Sequence, residues 1–328
     1  KKDNIRRKRR ASFAAKVRNA DETAVRREGS AAATRLKIFC VWNRFKFPSL
    51  CRFQILPPFF MLAKIFLELT EYSWFRRTAW KPIYNHLAKR FPNNDWVFMN
   101  YGFEPDDLAV RPKLSEADEP DRYPLQLYHF LATQTDIEKK TILEVGSGRG
   151  GGASYIARYL KPASITGMDI ADQAVAFANQ RHISPNLRFV TGNAEKLPFE
   201  NEQFDVVINV ESSHAYGSVA NFFAEVKRVL RPGGYFVITD MRDPKNLAGF
   251  EQTLLDSGLA LVSQKVISEN VVKAIALEDD TKRARIRKQI PARYVKFFEE
   301  FGGVKGSQID KDLRSGSLVY FWYVLQKE

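Results

Sequence analysis

From residue 141 onward the sequence predicts an α/β fold with a mostly parallel sheet. Short runs of β-branched residues alternate with helical segments, the pattern of parallel strands joined by crossover helices. One of these runs passes directly into a glycine-rich turn and then a helix. A chain of 328 residues with 45% hydrophobic and 27% charged residues is also large enough to bury a sizeable core.

The chain before the sheet divides into two segments of different composition. Residues 1–60 carry 16 Lys and Arg against 4 Asp and Glu, and we expect a basic, disordered extension. Residues 61–133 are rich in aromatic residues, which predicts a helical cap followed by an ordered loop. The sheet and its helices form the third unit, residues 134–328.

The positive charge of the chain is confined to this extension. The net charge is +13, but residues 61–328 carry 35 basic and 34 acidic groups, so nucleic acid is not expected as a partner. Basic and aromatic side chains within residues 1–90 allow peripheral contact with a membrane, although packing against the domain also explains the aromatic residues. The apolar run over 55–63 is about half of the roughly 20 residues that a membrane span needs.

The two cysteines, Cys40 and Cys51, support neither a disulfide framework nor a metal site. We therefore expect a cytoplasmic protein that can associate with a membrane, and no bound metal. The oligomeric state is left open.

Seven strands are predicted, over residues 141–145, 164–169, 187–191, 204–210, 235–240, 259–266 and 317–325. A helix is predicted over 218–230, because its apolar residues share one helical face and a Pro-Gly-Gly sequence follows. A charged, helix-favouring insertion, at about 268–304, separates the last two strands.

The glycine turn after the first strand predicts a nucleoside-binding site. Gly146, Gly148 and Gly151 fit the G-x-G-x-x-G dinucleotide pattern, which alone is a weak signal. Glu144 lies two residues before the turn, where a carboxylate would repel a pyrophosphate but attract an ammonium group. Asp169 ends the second strand, where a carboxylate can bind both ribose hydroxyls.

Together with the later sequences GNAEKLPF (192–199), FDVV (204–207) and LRPGG (230–234), these motifs resemble the class I S-adenosylmethionine-dependent methyltransferases. The resemblance implies a Rossmann-like seven-stranded sheet whose last two strands form an antiparallel hairpin, and S-adenosylmethionine as cofactor. It implies that glycines line the methionine part, with Glu144 near its amino group and Asp169 on the ribose. Asn193 stands where the family usually has Asp, and its side-chain oxygen can still accept a hydrogen bond. The residues implied to bind the cofactor are Glu144, Gly146, Gly148, Gly150, Asp169, Ile170, Asn193, Ala194, Leu197 and Asn209.

The sequence after the fourth strand suggests a catalytic base. Methyl transfer requires an aligned nucleophile, and a hydroxyl must also lose its proton, which an imidazole is suited to accept. His214 follows the fourth strand and Asp240 ends the fifth, an arrangement similar to small-molecule O-methyltransferases. His214 as a capping or packed residue is the competing interpretation.

Over residues 90–328 the chain resembles the phthiotriol/phenolphthiotriol dimycocerosate O-methyltransferase family. The matching segments are WVFMNY (96–101), EADEPDR (116–122), LYH (127–129), GGGASY (150–155), VESSH (210–214) and GVKGSQ (303–308). The resemblance implies a bulky lipid or polyketide hydroxyl as acceptor. Two alternatives remain, namely C- or N-methylation of a small molecule on the same fold and a non-catalytic cofactor-binding protein with a membrane-surface N-terminus.

Overall fold

The computed structural model of the protein describes residues 96–328. The predicted extension over 1–60, both cysteines and the first part of the predicted cap lie outside these residues. Within residues 96–328, no helix is both long and apolar enough to cross a membrane. The boundaries of the three predicted units stay a prediction.

The core of the protein is one seven-stranded sheet, with the strand order β3-β2-β1-β4-β5-β7-β6. Strands β1 to β5 are parallel, and β7 runs antiparallel to both of its neighbours, β5 and β6. The predicted fold class is therefore confirmed. The strands are β1 (Thr141–Val145), β2 (Ser164–Asp169), β3 (Leu187–Thr191), β4 (Phe204–Val210), β5 (Leu230–Arg242), β6 (Ala260–Val266) and β7 (Val319–Gln326).

Helices cover both faces of this sheet, and three of them connect β6 to β7. The helices are α1 (Arg122–Ala132), α2 (Gly151–Tyr159), α3 (Asp172–Arg181), α4 (Val219–Val229), α5 (Pro244–Asp256), α6 (Ser268–Gln289), α7 (Ala292–Phe301) and α8 (Gln308–Ser315). The break between α6 and α7 falls at Ile290, because a residue before proline is disfavoured in the helical conformation.

Successive residues of the central strands enter two separate cores. Ile142 packs in the core under α1 and α2, whereas Leu143 packs in the core under α4 and α5. This alternation is the two-residue period of a strand that is buried on both faces. Glu144 consequently points to the same face as Ile142, towards α1.

Two elements begin earlier than predicted. Helix α2 starts at Gly151, still within the glycine run that was predicted as a turn, because Gly150 has φ +84° and directs the chain straight into the helix. Strand β5 starts at Leu230 rather than at 235, and its Pro-Gly-Gly sequence lies in an irregular stretch of the pairing with β4. Helix α4 ends at Val229, as its apolar face predicts.

The strand order places a crevice at the carboxyl ends of β1 and β4. Chain connections leave β1 towards β2 on one side, while β4 lies on its other side. In doubly wound sheets this switch point is where ligands bind. All of the predicted site residues lie at or near this edge.

Candidate functional site

The glycine loop between β1 and α2 forms the floor of this crevice. Gly146, Gly148 and Gly150 have φ values of +76°, +53° and +84°, a region in which a residue with a side chain is strained. The loop is tied to β2, because the amides of Gly146 and Ser147 donate to the Met168 carbonyl at 2.8 and 3.0 Å.

The three glycines face different surroundings. A β-carbon at Gly148 would meet only the Met99 methyl group, at 3.4 Å, so this part of the loop is open. At Gly146 a β-carbon would lie 2.3 Å from the Ser212 hydroxyl. The resemblance implies that Gly150 lines the methionine part of the cofactor. In the structure Gly150 packs against Phe189, where a β-carbon would lie only 2.6 Å from the ring, so the absence of a side chain serves an internal contact.

Glu144 lies fully buried beneath the loop. Its Oε1 accepts a hydrogen bond of 2.7 Å from the Tyr128 hydroxyl, and its Oε2 has no partner among residues 96–328. Burial raises the pKa of Glu144 to about 7, although the Tyr128 hydroxyl and the nearby Ala153 backbone amide act in the opposite direction. Sequence reasoning expected a carboxylate near the amino group of the methionine part and missed Tyr128, since a contact between a helix and a strand leaves no local signal.

Asp169 lies at the end of β2 and braces the loop. Its Oδ2 accepts from the Gly148 amide at 2.8 Å, and its Oδ1 accepts from the Ala171 amide at 2.9 Å. Burial raises its pKa, while the backbone amides around it lower the pKa. Ile170, the next residue, has 41% of its surface exposed.

The segment 193–197, which the resemblance implies to bind the cofactor, is partly buried. Ala194 and Leu197 belong to the core under α4 and α5, whereas Asn193 is exposed. The Asn193 Oδ1 accepts from the Glu195 amide at 2.9 Å. Ile170 and Leu197, both implied to bind the cofactor, thus differ in accessibility, because Leu197 is buried in the core.

Asn209 is fully buried at the end of β4 and links β1 to the residues after β4. Its Nδ2 lies within hydrogen-bond distance of the Val145 carbonyl, the Ser212 hydroxyl and the Tyr216 hydroxyl, at 2.9, 2.8 and 3.0 Å. Its Oδ1 has no partner among the described residues. Sequence reasoning missed Ser212 and Tyr216, which complete this cluster.

Three buried polar atoms in the crevice lack hydrogen-bond partners within residues 96–328. They are Glu144 Oε2, Ser147 Oγ and Asn209 Oδ1. Unpaired buried groups destabilise a protein by about 1–3 kcal/mol each, so such a cluster is typical of a ligand site. The ionised Glu144 carboxylate and the Asn209 side-chain oxygen both accept hydrogen bonds, but from opposite faces of the sheet, since Glu144 pairs with Ile208 and Asn209 pairs with Val145. On the α1 face, Glu144 fits a ligand group that donates hydrogen bonds, as the ammonium of a methionine moiety does.

His214 and Asp240 are brought together at the carboxyl ends of β4 and β5. The His214 Nδ1 lies 2.8 Å from Asp240 Oδ1, and the His214 backbone amide donates to Oδ2 at 3.0 Å. The His214 side chain is 31% exposed, and no described residue hydrogen-bonds to its Nε2. The imidazole is therefore oriented from one side and accessible from the other.

Asp240 is fully buried and strongly held. Burial alone would raise its pKa, but the charge of Arg242, at 3.2 Å, and the contacts with His214 and Ser213 outweigh burial and hold the pKa well below its usual range. Asp240 is thus a carboxylate that only accepts hydrogen bonds.

Glu211 is a further residue of this edge, to which sequence reasoning assigned no role. It directly follows β4 and has φ +45°. Its Oε1 accepts from the Tyr101 amide at 2.9 Å and from the Tyr320 hydroxyl. Both partners are more than 100 positions away in the sequence, which explains why no local pattern indicated this contact.

Comparisons with known proteins give the same picture of the fold and chemistry. Residues 143–238 match the family described as a methyltransferase domain. The chain is 41% identical over 253 residues to the phthiotriol/phenolphthiotriol dimycocerosates methyltransferase of Mycobacterium tuberculosis. The aligned region covers 77% of this chain and 93% of that protein. It is also 41% identical over 249 residues to the fatty-acid O-methyltransferase of Mycolicibacterium smegmatis, covering 76% of this chain and 90% of the relative.

Solved structures share the fold at low sequence identity. The [4+2]-cyclase SpnF has a TM-score of 0.57 at 18% identity, and the aligned region covers 75% of this chain and 95% of the SpnF chain. The geranyl diphosphate C-methyltransferase of Streptomyces coelicolor A3(2), in a complex that includes S-adenosyl-L-homocysteine, has a TM-score of 0.52 at 18% identity and covers 75% of this chain and 98% of its own. The chain is a class I S-adenosylmethionine-dependent methyltransferase and belongs to the family of the mycobacterial phthiotriol/phenolphthiotriol dimycocerosates methyltransferases.

Proposed function

We propose that the protein methylates a hydroxyl oxygen of a lipid-like small molecule, with His214 as general base and Asp240 as the group that orients it. The observation that carries this proposal is the 2.8 Å contact between His214 Nδ1 and Asp240, which leaves Nε2 accessible at the crevice. S-adenosylmethionine supplies the activated methyl group when it is bound.

Different residues would hold different parts of S-adenosylmethionine. Gly148 leaves room on the loop, and Asp169, already fixed by two backbone amides, offers its remaining lone pairs to the ribose hydroxyls. The unpaired Oε2 of Glu144 is an acceptor for the ammonium group.

The pairing with Asp240 sets the tautomer of His214. Because the Asp240 carboxylate can only accept, the neutral ring carries its proton on Nδ1 and keeps a lone pair on Nε2. That lone pair takes the proton of the acceptor hydroxyl as its oxygen bonds to the methyl group. The resulting imidazolium is stabilised by the buried carboxylate, as in other histidine–aspartate pairs.

A cleft beside the glycine loop supports a lipid-like acceptor. It lies between residues 96–100, Pro124 and helices α6 and α7. Trp96, Phe98, Met99, Ile290 and Phe301 supply apolar lining, while Glu278, Lys282 and Arg285 make one side of the cleft charged. Met99 connects the cleft to the loop, because its methyl group faces Gly148. We propose that residues 96–133 of the predicted cap and the insertion at about 268–304 form a lid that encloses the apolar part of the acceptor here.

A carboxylate acceptor is the second candidate, favoured by the fatty-acid O-methyltransferase among the relatives. A carboxylate is already a nucleophile at neutral pH and needs no base. Replacement of His214 therefore distinguishes the two acceptors.

With a hydroxyl acceptor, His214→Ala should lower kcat by about 10²–10⁴-fold, the usual contribution of a general base. Affinity for S-adenosylhomocysteine, measured by calorimetry, should stay unchanged because His214 lies outside the glycine loop. The assay uses labelled cofactor with a lipid extract, and mass spectrometry of the product tells an ether from an ester or a C- or N-methyl group. Full turnover of an alcohol by the variant would exclude His214 as the base.

A further inference from the structure

Glu211 has a backbone conformation that sets it apart. Four non-glycine residues within 96–328 have positive φ, and the other three, Lys139, Lys161 and Glu202, are exposed. A side-chain-bearing residue in this conformation is destabilised by about 1–2 kcal/mol. Such strain persists where the surroundings enforce it, and it is concentrated at functional sites.

The carboxyl group of Glu211 is fixed through one oxygen only. Its Oε1 accepts from the Tyr101 amide and from the Tyr320 hydroxyl, while its own amide donates to the Thr239 carbonyl at 2.9 Å. No described residue hydrogen-bonds to Oε2, which is also not among the fully buried unpaired atoms. The carboxyl is thus immobilised through Oε1, and Oε2 has no hydrogen-bond partner among the described residues.

Glu211 belongs to the carboxyl edge of the sheet, on the loop that also carries His214. Glu211 and His214 both follow β4, three residues apart, and Ser212 between them lies against the glycine loop. Tyr101, which holds Glu211, directly follows Met99 and Asn100 of the apolar cleft. Glu211 therefore ties the wall of the cleft to the strand that carries the base.

The protonation state of Glu211 suits a hydrogen-bond donor. Burial raises its pKa to about 8, with a smaller contribution in the same direction from Asp240, while Tyr320, the Tyr101 amide and Lys282 act against it. Near neutral pH the group is largely a carboxylic acid. Since Oε1 is occupied as an acceptor by two donors, the proton resides on Oε2.

We propose that Glu211 binds a second oxygen of the acceptor, next to the hydroxyl that is methylated. The reacting oxygen gives its proton to His214 and needs its lone pair for the methyl group, so a donor on that same oxygen would weaken the nucleophile. The hydrogen bond from Glu211 must therefore reach a neighbouring oxygen. The acceptor is a lipid-like molecule with a hydroxyl or carbonyl close to the reacting hydroxyl, such as a 1,2- or 1,3-diol; this assignment rests on the proposed function.

The test compares a long-chain alcohol with the 1,2- and 1,3-diols of the same chain length. The wild type should prefer a diol by about 10- to 100-fold in kcat/KM, the effect of one hydrogen bond to a substrate oxygen. Glu211→Ala should lose this preference mainly through KM. Glu211→Gln keeps a donor at the Oε2 position and should retain the preference, while abolishing the fall in activity that the wild type shows above about pH 8.

Tyr320→Phe is the matched control, because it removes one hydrogen bond to Oε1 and leaves Oε2 in place. It should keep the preference for the diol. Calorimetry with S-adenosylhomocysteine confirms that each variant is folded, and if Glu211→Ala fails to fold, the pH profile of Glu211→Gln decides.

Three outcomes would overturn this assignment. The first is a wild type that prefers neither diol, the second is an unchanged preference in Glu211→Ala, and the third is activity of Glu211→Gln that still falls above about pH 8. Each would show that Glu211 has only a structural role, and the methyltransferase function would be unaffected. A wild type that methylates none of the alcohols would overturn the proposed function, and the role of Glu211 with it.

Discussion

Single side chains at the carboxyl edge of the sheet determine how the protein handles protons. Glu144 and Glu211 are both carboxyl groups whose pKa burial raises into the neutral range, whereas Asp240, held by Arg242, stays ionised. Groups of one chemical type thus serve different purposes because their surroundings differ. The burial that produces these differences comes from distant elements, so the sequence indicates the acidic positions but not their protonation states.

Glu144 should make cofactor binding depend on pH. An ammonium group prefers the ionised carboxylate, so binding below the pKa of about 7 must release a proton and affinity must fall with falling pH. We expect S-adenosylhomocysteine to bind up to about tenfold more tightly at about pH 7.5 than at about pH 6. Calorimetry at both pH values measures this change.

Glu144→Gln is the control for this prediction. It keeps an acceptor for the Tyr128 hydroxyl but cannot titrate, so its affinity should be weaker and nearly constant between the two pH values. If the wild type bound S-adenosylhomocysteine with equal affinity at the two pH values, Glu144 would not interact with the ammonium group.

At the scale of elements, α2 can pack against α1 only because Gly152 lacks a side chain. A β-carbon at Gly152 would lie 2.0 Å from the Tyr128 ring, and that ring is held by its hydrogen bond to Glu144. Close packing of this kind also fixes the position of the glycine loop, which leads directly into α2.

Gly152→Ala should therefore destabilise the protein, by about 1–3 kcal/mol of unfolding free energy, despite the higher helix propensity of alanine. Gly249→Ala in α5 is the matched control, since a β-carbon there meets nothing within 4 Å. The control should stabilise the protein by about 0.5–1 kcal/mol. Urea unfolding of both variants measures the two effects, and equal effects of the same sign would contradict the packing argument.

Periodicity predicts the strands and helices of this fold well, but it cannot reveal which segments meet in space. Strands β1 to β4 begin and end at the predicted residues, and α4 follows its apolar stripe. The start of β5 was misplaced because its Pro-Gly-Gly sequence resembles a turn, although it is part of an irregular strand. The contacts of Tyr128 with Glu144 and of Glu211 with Tyr320 join separate elements, and only the folded chain shows them.

At the scale of the whole molecule, charge is the property that separates the chain into parts. Nearly all of the net positive charge belongs to residues 1–60, whereas the site and its apolar cleft lie within residues 96–328. We therefore propose that the basic extension brings the enzyme to a membrane and that the folded domain carries the chemistry.

Deletion of residues 1–60 should reduce binding to vesicles that contain anionic lipid, as measured by co-sedimentation at low and high salt. Binding of the full chain should also weaken with added salt, because the attraction is electrostatic. Methylation of a short, water-soluble acceptor should be unaffected by the deletion. Unchanged vesicle binding by the shortened protein would exclude the extension as the membrane contact.

The position of β7 between β5 and β6 also has a consequence for biosynthesis. A nascent chain leaves the ribosome in sequence order, so β5 and β6 emerge while helices α6, α7 and α8 are still being made. During that interval the outer edge of β5 lacks its partner, and an apolar strand edge of this kind is prone to pair with other chains. Cells that produce this protein rapidly should therefore need chaperones that shield the edge until β7 closes the gap.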